Sequence, residues 1–96
     1  MIENVSSRKK RILLVEDNRL TAGVLSDLLD ENGYDTEIVN TREETLQKIN
    51  SGLLPDLILM DIELAGEMNG IETAGRISKT RDIPIVFLTA QTTDEI

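Results

Sequence analysis

Apolar residues form short, uninterrupted runs at three places in the chain, and each run ends in a polar residue. The runs occupy residues 12–15, 57–60 and 85–88. Unbroken runs of this length are typical of strands that are covered on both faces, as in a parallel sheet. A fourth segment, residues 36–39, is less apolar, and we expect it to form a shorter strand at the sheet edge.

Between the predicted strands, apolar residues recur at the spacing of a helix. Asn18 or Asp17 can cap the first helix, which Asn32-Gly33 should end. Thr41 and Glu44 have the spacing of a capping box at the start of the second helix. The apolar positions at helical spacing are Leu20, Val24, Leu25, Leu28 and Leu29 in the first helix, Leu46 and Ile49 in the second, and Ile71, Ala74 and Ile77 in the third. In the second and third helices, these residues are predicted to face the sheet.

Strands and helices alternate along the whole chain. Strict alternation predicts parallel strands that are joined by right-handed crossovers, which is the doubly wound α/β class. Ninety-six residues are enough for one domain at most. We expect residues 1–10 to form an N-terminal tail and residues 11–96 to form the domain.

Composition excludes several classes of function. Asp and Glu number 18 and Lys and Arg 10, and this net charge of −8 disfavours direct binding of nucleic acid or of an anionic membrane. Cysteine and histidine are absent, which removes disulfides, thiolate metal sites and histidine-based catalysis. No apolar stretch approaches the roughly 20 residues of a membrane span, and the N-terminus does not resemble a signal peptide. The expected location is therefore the cytoplasm.

Polar side chains follow three of the predicted strands. Glu16-Asp17 and Asp61 come directly after the first two apolar runs, and Thr89 follows the last. Ligands of open α/β sheets bind outside the carboxyl ends of the strands, so we expect these side chains to converge. Each has an ordinary explanation when taken alone, such as a helix cap or a turn. Their joint position at strand ends favours a site.

Converging carboxylates repel one another unless a cation intervenes. Mg²⁺ typically accepts one or two carboxylates together with phosphate oxygens. The pattern therefore suggests Mg²⁺ and a phosphoryl group. Asp61 would be either a metal ligand or a nucleophile that forms an acyl phosphate.

Three segments of the chain together resemble the receiver domain of two-component response regulators. They are residues 12–18, residues 55–61 with Met68 to Glu72 downstream, and residues 84–90. The resemblance covers residues 11–96 and implies a flavodoxin-like sheet. The strand order 2-1-3-4 is taken from that family, with the fifth strand and the last two helices of a complete receiver missing.

The resemblance implies a role for each acid of the pattern. Asp61 would be the phosphoacceptor, and its phosphoryl group would come from the phosphohistidine of a sensor histidine kinase or of a phosphotransfer protein. Glu16, Asp17, Asp61 and the backbone carbonyl of Glu63 would hold Mg²⁺.

The resemblance also implies roles for residues around the phosphoacceptor. Thr89 would donate a hydrogen bond to a phosphoryl oxygen and move toward it on activation, and the small Ala90 would leave that approach open. Glu63 and Gln91 would flank the path of attacking water and so modulate the lifetime of the phosphoryl group.

The sequence departs from the family pattern in two ways. The loop from Glu63 to Gly70 lacks the usual proline and has Asn69 where Asp is frequent. The chain also ends at Ile96, before the fifth strand and its essential lysine, and neither Lys48 nor Lys79 matches that position.

We therefore expect a fragment of a longer receiver, in which the first helix exposes leucines. The alternative is a short form that dimerises through an exposed fourth strand.

Three functions remain open at this point. The favoured one is a signalling module that is phosphorylated on Asp61 and is not otherwise an enzyme. The alternative is a pseudo-receiver that acts only through protein contacts. A phosphohydrolase with an Asp nucleophile is disfavoured, because those enzymes need a second Asp where Glu63 stands, and no glycine-rich phosphate loop supports nucleotide binding.

Overall fold

The predicted alternation of strands and helices is present in a computed structural model of the chain, which describes residues 9–61, 70–80 and 82–88. The elements are β1 (Arg11–Val15), α1 (Arg19–Glu31), β2 (Asp35–Val39), α2 (Arg42–Asn50), β3 (Leu57–Asp61), α3 (Gly70–Thr80) and β4 (Ile85–Leu88). The expected tail up to residue 8 and the loop at 62–69 lie outside the described residues.

The four strands form one sheet in the order β2-β1-β3-β4, and all three pairings are parallel. β2 lies at an edge, as its lower apolar content predicted. The predicted flavodoxin-like α/β fold is confirmed. Of the helices that the structure describes, none has both the length and the apolar character needed to cross a membrane.

β1 lies inside the sheet, between β2 and β3, and its side chains from Ile12 to Val15 are buried on both faces. Leu13 and Val15 join the main core on one face, while Ile12 and Leu14 are buried on the other. Since neither face meets water, every position of the run from residue 12 to 15 is apolar. The main core consists of Leu13, Val15, Val39, Ile49, Ile58, Met60 and Ile77.

Asn18 caps α1, and its side-chain Oδ1 accepts a hydrogen bond from the Thr21 backbone N–H at 2.9 Å. Gly33 follows the helix with a φ of 91°, a conformation that glycine adopts without steric cost. Of the apolar residues in α1, Leu25 and Leu29 are half-buried. The expectation that this helix exposes leucines is confirmed by Leu20 and Leu28, and Val24 is exposed as well.

The cap of α2 differs slightly from the predicted capping box. Thr41 Oγ1 accepts a hydrogen bond from the Glu44 N–H at 3.0 Å, as expected. The Glu44 carboxylate, however, accepts from the N–H of Asn40 at 2.9 Å rather than from that of Thr41. The box therefore includes the last residue before the helix cap.

One predicted core position in α3 is wrong. Ile77 is buried and Ala74 is half-buried, but Ile71 is 58% exposed and Thr73 is buried in its place. Thr73 and Ile77 are four residues apart and so share a helix face, whereas Ile71 is rotated by about 200° from Thr73. The buried face of α3 is therefore centred on residues 73 and 77.

We predict that two leucine truncations will differ strongly in their effect on stability. Leu13→Ala should lower the free energy of unfolding by about 2–5 kcal/mol, because this fully buried side chain would leave a cavity in the main core. Leu20→Ala is the matched control, since Leu20 is 79% exposed, and its effect should stay within about 0.5 kcal/mol. Urea unfolding of both variants measures the difference, and equal losses would contradict this description of the core.

Candidate functional site

The ends of β1 and β3 lie side by side at one edge of the sheet. Val15, the last residue of β1, pairs with Met60 of β3 and with Val39 of β2. The next residues along the chain, Glu16 and Asp61, therefore lie at the same level. Because the strands are parallel, their carboxyl ends all meet at this edge.

Three carboxylates converge at this edge, and we call them the acidic cluster. Glu16, Asp17 and Asp61 each offer a carboxylate oxygen, and these atoms lie within 4.8 Å of one another. Glu16 is only 6% exposed, Asp61 is half-buried and Asp17 is exposed. The cluster lines a cleft of about 460 Å³ together with Asn18, Thr21, Leu25 and Leu88. A ligand from solvent can therefore enter the cleft where Asp17 is exposed and reach the three carboxylates.

Hydrogen bonds with three residues hold Glu16 in place. Its backbone N–H donates to the carbonyl oxygen of Val39 at 3.0 Å. Its backbone carbonyl accepts from the side-chain Nδ2 of Asn40 at 2.9 Å. Its carboxylate Oε2 accepts from the backbone N–H of Asn18 at 3.1 Å. Both the main chain and the carboxylate of Glu16 are therefore fixed.

Burial raises the pKa of the Glu16 carboxyl above its ordinary value, because the charged form loses hydration. The hydrogen bond from the Asn18 backbone N–H favours the charged form and opposes this rise. The negative charges of Asp61 and Asp17 raise the pKa further, as does a side-chain hydrogen bond with Asp61. The ionised form of Glu16 is therefore disfavoured, first by burial and then by its acidic neighbours.

The donor set fits a hard divalent cation. Each member of the acidic cluster supplies carboxylate oxygen, which is the ligand that Mg²⁺ prefers, and the buried Glu16 carboxyl is strained by its acidic neighbours. A cation among these oxygens would replace repulsion with attraction. The described residues thus suit Mg²⁺ in chemistry and in spacing.

The remaining predicted site residues lie outside the described part of the chain. Thr89 follows Leu88, and Leu88 pairs with Asp61 in the register of β3 and β4, but Thr89 itself is not described. Glu63, Ala90 and Gln91 are not described either, and the predicted roles of all four stay predictions.

Neither lysine that the sequence analysis weighed lines the cleft of the acidic cluster. Lys48 donates to the carboxylate of Glu37 on β2, and the two form an ion pair. Lys79 belongs to the last turn of α3.

Asn40 is a member of this neighbourhood that the sequence analysis did not identify. It follows β2 directly, just as Glu16 follows β1, and its side chain reaches the Glu16 carbonyl. The rule that polar residues at strand ends form sites, applied to β2, would have pointed to it.

A second cleft, of about 360 Å³, lies at the opposite edge of the sheet, near the start of β1 and β2. Its acidic residues are Asp35 and Glu37, which lie two positions apart on β2 and therefore on the same face. Glu37 is already paired with Lys48. The carboxylate grouping with metal-binding spacing among the described residues is instead the acidic cluster.

Comparison with known proteins shows that the sequence of this chain is similar to those of response regulators. The model of the response regulator receiver domain family matches residues 12–96. A transcriptional regulatory protein, a CpxR homolog of Haemophilus influenzae, is 38% identical over 84 residues. The match covers 88% of this chain and 36% of that protein, so the chain spans little more than a third of this relative.

Solved structures give the same result for the fold. The chain is similar to the N-terminal domain of a response regulator/sensory box/GGDEF 3-domain protein from Carboxydothermus hydrogenoformans, with a TM-score of 0.84, 44% identity and coverage of 91% of this chain and 70% of that chain. It is also similar to response regulator protein TrrA from Thermotoga maritima, solved in complex with Mg²⁺-BeF, with a TM-score of 0.78, 40% identity and coverage of 86% and 71%.

We predict that Mg²⁺ will stabilise the folded chain through the acidic cluster. At about ten times its dissociation constant, a ligand of the folded state alone adds about 1.4 kcal/mol to the free energy of unfolding. Asp17→Asn should remove most of this gain, because it takes one carboxylate from the cluster. Thermal unfolding with Mg²⁺ and with EDTA, at matched ionic strength, measures the gain. Asp35→Asn makes the same charge change at the opposite edge and should keep the gain; equal losses in both variants would argue against the site.

We also predict a pH-dependent stability difference between the wild type and Glu16→Gln without metal. The pKa of Glu16 is raised in the folded state, so the stability from its protonated form is present below the unfolded value of about 4.5 and is lost as pH rises through the folded value. Glu16→Gln, which stays neutral, should therefore be more stable than the wild type at about pH 7, and the advantage should shrink toward about pH 4.5. Urea midpoints in EDTA across this range test it, and an advantage that grows on acidification would refute it.

Proposed function

Since the chain belongs to the response regulator receiver domain family of two-component systems, we propose that it accepts a phosphoryl group on Asp61 in a Mg²⁺-dependent reaction. The observation that carries this proposal is the acidic cluster, in which Asp61 lies with Glu16 and Asp17 at the carboxyl edge of a parallel sheet. Asp61 is half-buried beside an open cleft, so one of its carboxylate oxygens can meet a donor from solvent.

In the proposed reaction, Asp61 acts as the nucleophile. One carboxylate oxygen attacks the phosphorus atom of a phosphohistidine on a sensor histidine kinase or a phosphotransfer protein. The new P–O bond forms as the P–N bond breaks, and the histidine nitrogen keeps the electron pair and takes up a proton. The product is an acyl phosphate on Asp61, a covalent intermediate of the type that carboxylates form.

Glu16, Asp17 and Asp61 are the described residues that would hold Mg²⁺, and the backbone carbonyl of Glu63 is the proposed fourth ligand. A bound Mg²⁺ supplies charge neutralisation for the phosphoryl oxygens. The spacing of the acidic cluster supports this proposal. Further support comes from the similar TrrA protein, which was solved with Mg²⁺-BeF.

Glu16 is already held in position before any phosphoryl group arrives. Hydrogen bonds hold the Glu16 main chain and carboxylate in place, so the charged oxygens need no large rearrangement during the reaction. Such preorganisation lowers the barrier because the protein dipoles and charges are already oriented. Phosphoryl transfer asks a protein mainly for positioning and charge neutralisation.

The remaining roles are carried over as proposals for residues outside the described part of the chain. Thr89 would donate a hydrogen bond to a phosphoryl oxygen, with Ala90 leaving room for its approach. Glu63 and Gln91 would modulate how long the phosphoryl group survives. The added charge at Asp61 would then shift the domain between conformations and change which partner protein it binds.

We predict that the chain, incubated with Mg²⁺ and acetyl phosphate, will gain one phosphoryl group that hydroxylamine removes. Asp61→Asn should lose this label entirely, because an amide is not a competent nucleophile. Intact-protein mass spectrometry measures the gain. Asp56→Asn is the matched control: Asp56 precedes β3 and accepts a hydrogen bond from the Arg11 N–H at 2.8 Å, at the other end of the strand.

Three outcomes of this experiment are informative. A label that is lost only in Asp61→Asn supports the phosphoacceptor. A folded wild type that stays unlabelled with acetyl phosphate and does not bind beryllofluoride supports the pseudo-receiver. A label that survives Asp61→Asn overturns the assignment of the nucleophile.

A further inference from the structure

Asn40 joins the end of β2 to the end of β1. Its side-chain Nδ2 donates a hydrogen bond to the backbone carbonyl of Glu16 at 2.9 Å, across 24 residues of sequence. Its own backbone N–H donates to the carboxylate of Glu44 in the first turn of α2 at 2.9 Å. Asn40 is half-buried, and hydrogen bonds hold both its backbone N–H and its side chain. Its side-chain amide therefore has a defined direction.

Glu16 lies one residue beyond the last paired position of β1. Val39 accepts from its N–H, and Asn40 donates to its carbonyl, so the last residue of β2 and the residue that follows it hold the Glu16 main chain. The carbonyl of Glu16 is part of the peptide bond that leads into Asp17. The Asn40 amide therefore fixes the main chain between two members of the acidic cluster.

Electrostatic repulsion makes this anchor necessary. The closely spaced carboxylates of the acidic cluster repel one another, and a main chain that was free to turn would relieve the repulsion by moving Glu16 away. Such a movement would separate the oxygens that now lie within 4.8 Å of one another.

A neutral donor suits this position better than a charged one. A lysine or arginine at residue 40 would neutralise the acids itself and compete with a bound cation. The Asn amide holds the main chain and leaves the negative charge of the cluster available.

We propose that Asn40 is a positioning residue of the acidic cluster: its side-chain amide fixes the Glu16–Asp17 peptide, which keeps both carboxylates directed at Asp61 and strengthens the binding of Mg²⁺. The part that concerns Mg²⁺ rests on the proposed function. The part that concerns the main chain stands on the hydrogen bonds alone.

The test uses Asn40→Leu, which has nearly the same size and shape but no donor. Calorimetric titration with Mg²⁺ should show an affinity about three to ten times weaker than that of the wild type, the net effect of one hydrogen bond. If Asn40→Leu does not fold, as judged by circular dichroism, Asn40→Ala replaces it with the same expectation.

Asn32→Leu is the matched control. The Asn32 Nδ2 also donates to a backbone carbonyl, that of Leu28 at 2.7 Å, but it does so at the end of α1. Shortly after this helix end, the backbone N–H of Asp35 donates to the carbonyl of Lys10, which comes just before β1. The end of α1 is therefore close to the start of β1. The control therefore loses the same kind of bond far from the acidic cluster, and its Mg²⁺ affinity should stay within about twofold of the wild type.

A second measurement needs no metal. The backbone N–H of Asn18 donates to the Glu16 carboxylate at 3.1 Å, so its exchange with solvent reports where that carboxylate is. Amide exchange measured by NMR in EDTA should be several-fold faster at Asn18 in Asn40→Leu and unchanged in Asn32→Leu. If the role of Asn40 were merely structural, both variants would be less stable, and Asn18 would exchange at the same rate in both.

The outcomes separate this inference from the proposed function. If the wild type binds Mg²⁺ and Asn40→Leu matches it in both affinity and Asn18 exchange, the positioning role is overturned. If the wild type binds no Mg²⁺, the proposed function fails, and the exchange of Asn18 alone decides the inference. Faster exchange in Asn40→Leu then supports the positioning role, and equal exchange overturns it.

Discussion

The register of the parallel sheet is the constraint on which the acidic cluster depends. Val15 pairs with Val39 on one side and with Met60 on the other, so residues 16, 40 and 61 come to the same level. A slip of one residue would turn the buried side chains of β1 to the opposite face. Because Leu13 and Val15 are fully buried in the main core, such a slip is strongly disfavoured. Apolar packing inside the sheet thus fixes the positions of charges at its edge.

The cluster also has stabilising interactions of its own. Glu16 and Asp17 come just before the N-terminus of α1, where the helix dipole favours negative charge. The Asn18 N–H adds a hydrogen bond to the Glu16 carboxylate. These interactions offset part of the cost of holding charged carboxylates together, while the pKa of Glu16 stays raised, first because of burial and then because of the charges of Asp61 and Asp17. A bound cation would favour the ionised form of Glu16 by attraction.

Local sequence patterns predicted the strands, their order in the chain and the acids at their ends, because strands buried on both faces leave unbroken apolar runs. Ile71 was misplaced because a short helix with few apolar residues has no unique face: the buried side is set by a polar residue, Thr73, whose burial depends on tertiary packing. Asn40 was missed for a related reason. Its place at the end of β2 was visible in the sequence, but its partner was not, because the partner is a backbone carbonyl and the contact exists only once β2 lies beside β1 in register.

One continuous series of hydrogen bonds runs from the start of α2 to the start of α1. Glu44 accepts from Asn40, Asn40 donates to Glu16, and Glu16 accepts in turn from Asn18, the cap of α1. One end of the series is Glu44 in the first turn of α2, the other end is the cap of α1, and the middle is a member of the acidic cluster. A site supported in this way is preorganised, since each side chain is oriented by a neighbour that is itself fixed. On its β1–β2 side, the acidic cluster is therefore supported at both the main chain and the carboxylate of Glu16, and this support depends on the register that places β2 beside β1.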